Sequence, residues 1–201
     1  HGVWKKDLLN EIKKESPRLI LDLAGGTGDI AKGMSKIFSK SLILIYDLSL
    51  EMMLNSNKEN SAIYKNIFCI NGEAERLAIK DDSIDLITLS FGLRNFSNIE
   101  KSIEECYRVL KVGKKIYCLE FSPSFSNNIK AFYDFYSFKV IPKIGKRIAK
   151  NEEAYKYLIQ SIRNFPHNTE LKNIFTKKGF FCYNEKRYLG GIAYLNVFSK
   201  V

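Results

Sequence analysis

At 201 residues and 23.2 kDa, the chain has the size of one domain that can bury a core without disulfides. Its 45% apolar and 27% charged residues exclude intrinsic disorder, and the longest apolar run, residues 42–46, is too short to span a membrane. No signal peptide is expected, and four scattered cysteines favour a reduced, cytoplasmic protein over a disulfide or zinc scaffold. The net charge of +10 makes nucleic acid or a membrane surface a partner to consider.

Lysine supplies 25 of the 32 positive charges, and arginine supplies only seven. Lys, Ile and Asn are all abundant, and because their codons are rich in A and T, genome composition explains part of the basicity. Proteins that read nucleic-acid bases rely on arginine for bidentate contacts. The charge therefore does not predict a nucleic-acid partner, and none is expected.

Apolar strands alternate with amphipathic helices over the first 120 residues. Helices are predicted over residues 3–14, 29–38 and 50–58, and strands over residues 19–21, 41–46, 67–70, 84–90 and 116–121. This alternation predicts a parallel, doubly wound α/β sheet, in which ligands bind at the carboxyl ends of the strands.

Further signals lie after the fourth predicted strand. Ser97 and Glu100 have the spacing of a capping box at the start of a helix, and Gly113 is expected to end that helix. Near the end of the chain, residues 180–186 and 191–200 are predicted as two strands. We expect them to form an antiparallel hairpin at the edge of the sheet.

A glycine-rich loop joins the first predicted strand to the helix that follows it. It reads DLAGGTGD over residues 22–29, and glycines there let the backbone approach a ligand closely. Gly26, Gly28 and Ala31 fit the dinucleotide fingerprint, and Asp47 follows at the distance of a ribose-binding acid. Taken alone, the loop would fit a nicotinamide-dependent dehydrogenase.

Three further features favour S-adenosylmethionine as the ligand. Asp22 is not part of the dinucleotide pattern, and it suits a ligand that carries an amino group. Glu73 and Ala74 follow the third strand, a natural place to contact an adenine edge, and Ser90 begins a polar stretch after the fourth strand. Acids at the ends of the first two strands and polar groups after the next two are typical of the S-adenosylmethionine-dependent methyltransferases.

On these residues the chain resembles the UbiE/MenG family, the C-methyltransferases of ubiquinone and menaquinone biosynthesis. The resemblance runs from about Trp4 to Ile192, nearly the whole chain. FGLRN and YSFKVIPKIG are more specific than the glycine loop, which many methyltransferases share. The matching stretches are DLAGGTGDIA (22–31), DLS with a following Met (47–53), GEAERL (72–77), ITLSFGLRN (87–95), RVLKVG (108–113), LEFS (119–122), YSFKVIPKIG (136–145) and YLIQSIRNFP (157–166).

The resemblance implies an α/β, Rossmann-like class I methyltransferase fold with a seven-stranded, mostly parallel sheet and an antiparallel edge strand. It implies one methyltransferase domain over residues 1–201, without the N-terminal segment that the family carries before it. S-adenosylmethionine would then be the cofactor. Its implied binding residues are Gly25, Gly26, Thr27 and Gly28 at the methionine end, Asp47 at the ribose, Glu73 and Ala74 beside adenine, Ser90 at the cleft floor, and Asp22.

Arg94 and Asn95 are the expected catalytic residues at the acceptor end of the site. A hydroquinone becomes strongly nucleophilic at carbon once a neighbouring hydroxyl loses its proton. Arg94 stays protonated and cannot be the base, but it can steady a phenolate or orient a water that takes the proton. The alternative is that both residues only cap the loop. His167 and Asp134 are other candidate bases, for which a position on the surface is an equal or better explanation.

Residues 129–150 combine a dense aromatic run with basic residues. They predict either a core helix followed by a solvated loop, or a mouth for a polyprenyl tail beside lipid headgroups. We therefore expect a lipid-tailed quinol substrate and peripheral contact with the inner face of a membrane, and we leave a homodimer open.

No metal is needed for the expected reaction. The alternatives are a methyltransferase of the same fold acting on another small molecule or RNA, and a nicotinamide-dependent dehydrogenase or a non-catalytic nucleotide-binding module.

Overall fold

The computed structural model describes residues 2–53, 64–123 and 152–201. The aromatic and basic stretch 129–150, Asp134 and most of the predicted 50–58 helix lie outside these ranges, although residues 50–53 are helical. In chain order, the elements are α1 (Gly2–Ile12), β1 (Leu19–Leu23), α2 (Asp29–Ile37), β2 (Leu42–Asp47), β3 (Ile67–Asn71), β4 (Ile84–Ser90), a 3-10 turn (Leu93–Asn95), α3 (Ile99–Val109), β5 (Leu110–Phe121), α4 (Glu152–Arg163), α5 (Asn168–Lys177), β6 (Phe180–Tyr188) and β7 (Ala193–Lys200).

The seven strands form one sheet in the order β3-β2-β1-β4-β5-β7-β6. Strands β1 to β5 pair in parallel, whereas β7 runs antiparallel to both β5 and β6. The predicted seven-stranded, mostly parallel sheet with an antiparallel pair at its edge is confirmed. Chain order reverses between β1 and β4, so the connections leave on opposite faces and a crevice opens at the carboxyl ends of these two strands.

Each face of the sheet has its own apolar core. On one face, Trp4, Leu8 and Ile12 of α1 are buried at a spacing of four residues and pack in a cluster with strand residues. On the other face, Ile103 of α3 and Phe175 of α5 belong to a second cluster. The central strands are therefore covered on both faces, which explains why they read as continuous apolar runs rather than alternating ones.

Neither Ser97 nor Gly113 marks an end of α3, although the sequence predicts that they would. Asn98, not Ser97, caps the helix, because its extended backbone lets its side-chain oxygen accept a hydrogen bond from the Lys101 amide at 3.0 Å. The helix ends at Val109, and Gly113 lies inside β5 with a φ of 75°. The register between β4 and β5 shifts near this point, and the left-handed backbone at the glycine accommodates the extra residues in β5.

Candidate active site

A cavity of about 690 Å³ lies at the carboxyl ends of β1, β2, β3 and β4. This is the crevice that the strand order creates, and the volume is typical of a small-molecule site. Its walls are the glycine loop, the end of β2, the loop after β3 and residues 90–97, with Lys5 and Tyr157 added from α1 and α4. The predicted site residues that line it are Gly25, Gly26, Thr27, Asp47, Glu73, Ala74, Ser90, Arg94 and Asn95.

The glycine loop is shaped so tightly that side chains are excluded from two of its positions. Gly26 has a φ of 55°, and a Cβ there would also lie 2.9 Å from Met52 Cε. A Cβ at Gly25 would lie 2.8 Å from Asp22 Oδ2. The bare backbone that results can be approached closely by a ligand, as the sequence predicts.

Asp22 and Gly28 do not line the cavity. The Asp22 carboxylate is buried, and it accepts hydrogen bonds from Thr88 Oγ1 at 2.7 Å and from the Ala31 amide at 3.1 Å. It points into the sheet and towards the start of α2 rather than towards a ligand amino group. Its burial raises the pKa of Asp22 to about 6. Asp22 therefore supports the glycine loop from behind.

Asp47, half-buried at the end of β2, holds the front of the same loop. Its Oδ2 accepts a hydrogen bond from the Gly26 amide at 2.8 Å, and its Oδ1 accepts one from the Ser49 amide at 2.8 Å. Each carboxylate oxygen has a second lone pair, so both can still accept from the hydroxyls of a ribose. The same side chain thus fixes the glycine loop and offers acceptors to the cavity.

The loop after β3, which carries the two residues predicted beside adenine, is fixed from α3. Arg108 donates to the carbonyl oxygens of Leu77 and Ile79 at 2.9 and 2.8 Å, and Glu105 accepts from the Leu77 amide at 2.7 Å. Glu105 also pairs with Arg108 at 2.6 Å, which lowers the pKa of the Glu105 carboxyl. Two charged residues outside the cavity therefore hold one of its walls.

Arg94 is fixed in the cavity wall by a buried ion pair. Its Nη1 lies 2.8 Å from Glu120 Oε1 and also donates to the Phe91 carbonyl oxygen. The two charged side chains are only 11% and 3% exposed. The Arg94 Nε and the Ser90 hydroxyl are buried, and they have no hydrogen-bond partner among the described residues. Arg94 therefore stands in the cavity wall as a fixed positive charge.

Tyr157 and Glu120 are site residues that the sequence reasoning missed. Tyr157 is 60% exposed, and its hydroxyl donates to Asn95 Oδ1 at 3.1 Å. Both residues lie in stretches that carry the family resemblance, which is the only signal that could have found them. His167, by contrast, stands at the start of α5, where its backbone amide donates to Glu170, and it does not line the cavity.

The residues present fit S-adenosylmethionine. The bare glycine loop suits close contact with the methionine end, the free lone pairs of Asp47 suit ribose hydroxyls, and Ala74 is a buried apolar residue beside which a base can pack. Glu73 is exposed at the same wall.

A model of the ubiE/COQ5 methyltransferase family matches residues 1–200. The chain belongs to this family. Two relatives bear the name "Ubiquinone/menaquinone biosynthesis C-methyltransferase UbiE". The one from Blochmanniella floridana is 39% identical over 199 residues, covering 98% of this chain and 78% of the relative. The one from Rickettsia prowazekii is 37% identical over 207 residues, covering 100% of this chain and 83% of the relative.

Solved structures agree on the fold. A SAM-dependent methyltransferase from Aquifex aeolicus superposes with a TM-score of 0.70 at 18% identity, over 98% of this chain and 89% of that one. The [4+2]-cyclase SpnF superposes with a TM-score of 0.73 at 13% identity, over 98% and 80%. Because a cyclase shares the fold, the fold alone does not define the reaction. Membership of the ubiE/COQ5 family does: the chain is an S-adenosylmethionine-dependent methyltransferase, which favours that interpretation of the glycine loop over the dinucleotide one.

Replacing Asp47 tests the ribose assignment. Asp47→Ala should weaken the binding of S-adenosylhomocysteine roughly ten- to a hundredfold, because a hydrogen bond to a charged group contributes about 1.5–3 kcal/mol. Isothermal titration calorimetry measures the change. Glu51→Ala, which removes a nearby exposed acid outside the cavity lining, is the control and should bind normally. Unchanged affinity in Asp47→Ala would sink the assignment.

The raised pKa of Asp22 predicts a pH dependence of stability. Because the pKa is about 6 in the folded chain against an ordinary value of 3.8, the folded state holds this proton more tightly. The stabilisation is present below about pH 4 and is lost as the pH rises through about 6. The unfolding free energy of the wild type minus that of Asp22→Asn should therefore fall by about 2 kcal/mol between about pH 4 and 7. Urea denaturation at several pH values measures it, and a constant difference would refute the prediction.

Proposed function

We propose that this methyltransferase transfers a methyl group from S-adenosylmethionine to a ring carbon of a polyprenylated quinol, a precursor of ubiquinone or menaquinone. The relatives named for this activity match nearly the whole chain, which supports the proposal. The observation that carries it is Arg94: a buried cation, held by Glu120, in the wall of the donor-binding cavity. A fixed cation at this place stabilises a phenolate nucleophile.

S-adenosylmethionine supplies an electrophilic methyl group carried on a sulfonium. The chain supplies the geometry for its transfer. The glycine loop and Asp47 position the donor, and residues 90–97 form the wall towards which the acceptor faces. Holding two reactants in line removes roughly 7–11 kcal/mol from the barrier of a bimolecular step. The electron-rich ring carbon forms the new bond as the bond between sulfur and the methyl group breaks. The same ring carbon then loses its own proton to water, which restores the aromatic ring.

Arg94 makes the acceptor ring electron-rich by favouring its deprotonated form. The guanidinium keeps its own proton, so the phenolic proton passes to water. The positive charge then stabilises the phenolate oxygen. Asn95 accepts from Tyr157 through its oxygen, which leaves its amide N–H groups as donors for a second oxygen of the quinol.

The proposed substrate carries a lipid tail, so contact with a membrane surface is part of the proposal. Within residues 2–53, 64–123 and 152–201, no helix is long and apolar enough to cross a membrane. The segment expected to meet lipid headgroups, 129–150, lies outside the described residues. Peripheral membrane contact and a homodimer both stay predictions.

A methyl-transfer assay with a short-chain demethylmenaquinol tests the proposed function. We expect the product to gain one methyl group by mass spectrometry when the acceptor is reduced. The oxidised quinone is the matched control and should give no product, because its ring carbons are electron-poor. Methylation of an RNA substrate under the same conditions, with none of the quinol, would favour the alternative acceptor class.

Arg94→Ala tests the role of the buried cation. We expect kcat to fall on the order of 10²–10³-fold, as when another electrostatic stabiliser of a developing anion is removed, while S-adenosylhomocysteine binds normally. Arg76→Ala removes an exposed arginine of a neighbouring loop that does not line the cavity, and it should leave kcat unchanged. Full turnover by Arg94→Ala would refute the catalytic role.

A further inference from the structure

Glu120 lies near the end of β5, with its carboxylate almost fully buried. Oε1 pairs with Arg94 Nη1 at 2.8 Å and accepts from the Phe121 amide at 2.9 Å, while Oε2 lies 3.4 Å from the Arg94 amide. The guanidinium also lies over the Phe121 ring, 5.5 Å from its centre. Arg94 is thus held through its backbone amide, through Nη1 and through the face of the guanidinium that lies on Phe121.

These contacts use Nη1 of the guanidinium, and none of them involves the Nε–H of Arg94. That nitrogen is buried without a partner among the described residues, as is the hydroxyl of Ser90, and both residues line the cavity. Because Arg94 Nε is itself closed to solvent, Glu120 fixes the position of the guanidinium as a whole in the cavity wall.

We propose that Glu120 is a positioning residue. It holds Arg94 through Nη1, so that the guanidinium stays in the cavity wall as a fixed positive charge for an oxygen of the acceptor. This inference rests on the proposed function only for the identity of that acceptor. Glu120 does not line the cavity, and it acts through Arg94 alone.

A merely structural ion pair would behave differently, and the chain contains one for comparison. Asp85, at the opposite end of β4, accepts from Lys111 Nζ at 2.6 Å and from the backbone amides of Arg18 and Leu19 at 2.8 and 2.9 Å. Its side chain is 8% exposed, close to the value for Glu120. Asp85→Asn is therefore matched to Glu120→Gln in chemistry and burial, but it lies far from the cavity.

A double-mutant cycle tests the inference by kinetics. Glu120→Gln keeps an oxygen acceptor of the same size, so the fold should persist. We expect it to lower kcat roughly ten- to a hundredfold with an unchanged affinity for S-adenosylhomocysteine, and to cause no further loss in an Arg94→Gln background. Asp85→Asn should leave kcat unchanged. If the effects of Glu120→Gln and Arg94→Gln multiply, or if Glu120→Gln turns over normally, the inference is overturned.

Nitrogen-15 NMR of the arginine side chains gives a readout that does not depend on turnover. The Nε–H signal of Arg94, identified by its absence in Arg94→Lys, should exchange slowly with solvent in the wild type and in Asp85→Asn. It should exchange at least tenfold faster in Glu120→Gln, because the guanidinium is then released. An unaltered exchange rate would contradict positioning. If the wild type fails to methylate the quinol, the proposed function is wrong, and this measurement still decides the role of Glu120.

Discussion

The buried carboxylate of Asp22 ties together three elements at the point where strand order reverses. It belongs to β1, and it accepts from Thr88 of β4 and from the first turn of α2. Strands β1 and β4 flank the crevice, and α2 is the helix that follows the glycine loop. Burying this carboxylate is costly, as its raised pKa shows, and its hydrogen bonds offset part of that cost. The position of the donor-binding loop depends on this arrangement.

Other charged side chains fix the remaining walls of the cavity in a similar way. Asp47 holds the glycine loop from the front, Arg108 holds the loop after β3, and Glu120 holds Arg94. In each case a charged side chain bonds to backbone groups or to a second charge and fixes a wall of the cavity. Groups fixed in this way need little rearrangement when ligands bind, which is how an active site stabilises charge that develops during reaction.

The sequence was enough to predict the sheet, and most of the residues predicted for the donor site line one cavity, because both follow from local patterns. Apolar runs identify buried strands, and the glycine loop and Asp47 stand directly at strand ends. The direction of Asp22 could not be predicted, since it depends on Thr88, which is 66 residues away and is brought close by strand pairing. Glu120 reads as one polar residue in an apolar strand. Tyr157 meets Asn95 only through tertiary packing.

The hydrogen bond from Tyr157 to Asn95 joins two parts of the site that come from different regions of the chain. Every described cavity-lining residue except Tyr157 comes from the first 97 residues, which include all of the proposed donor contacts and part of the proposed acceptor wall. Tyr157, from the C-terminal third of the chain, completes the wall that we propose faces the acceptor. Substitutions in α4 can therefore alter acceptor choice without disturbing donor contacts. In a protein lineage, this separation lets the accepted substrate diversify while the methyl donor stays the same.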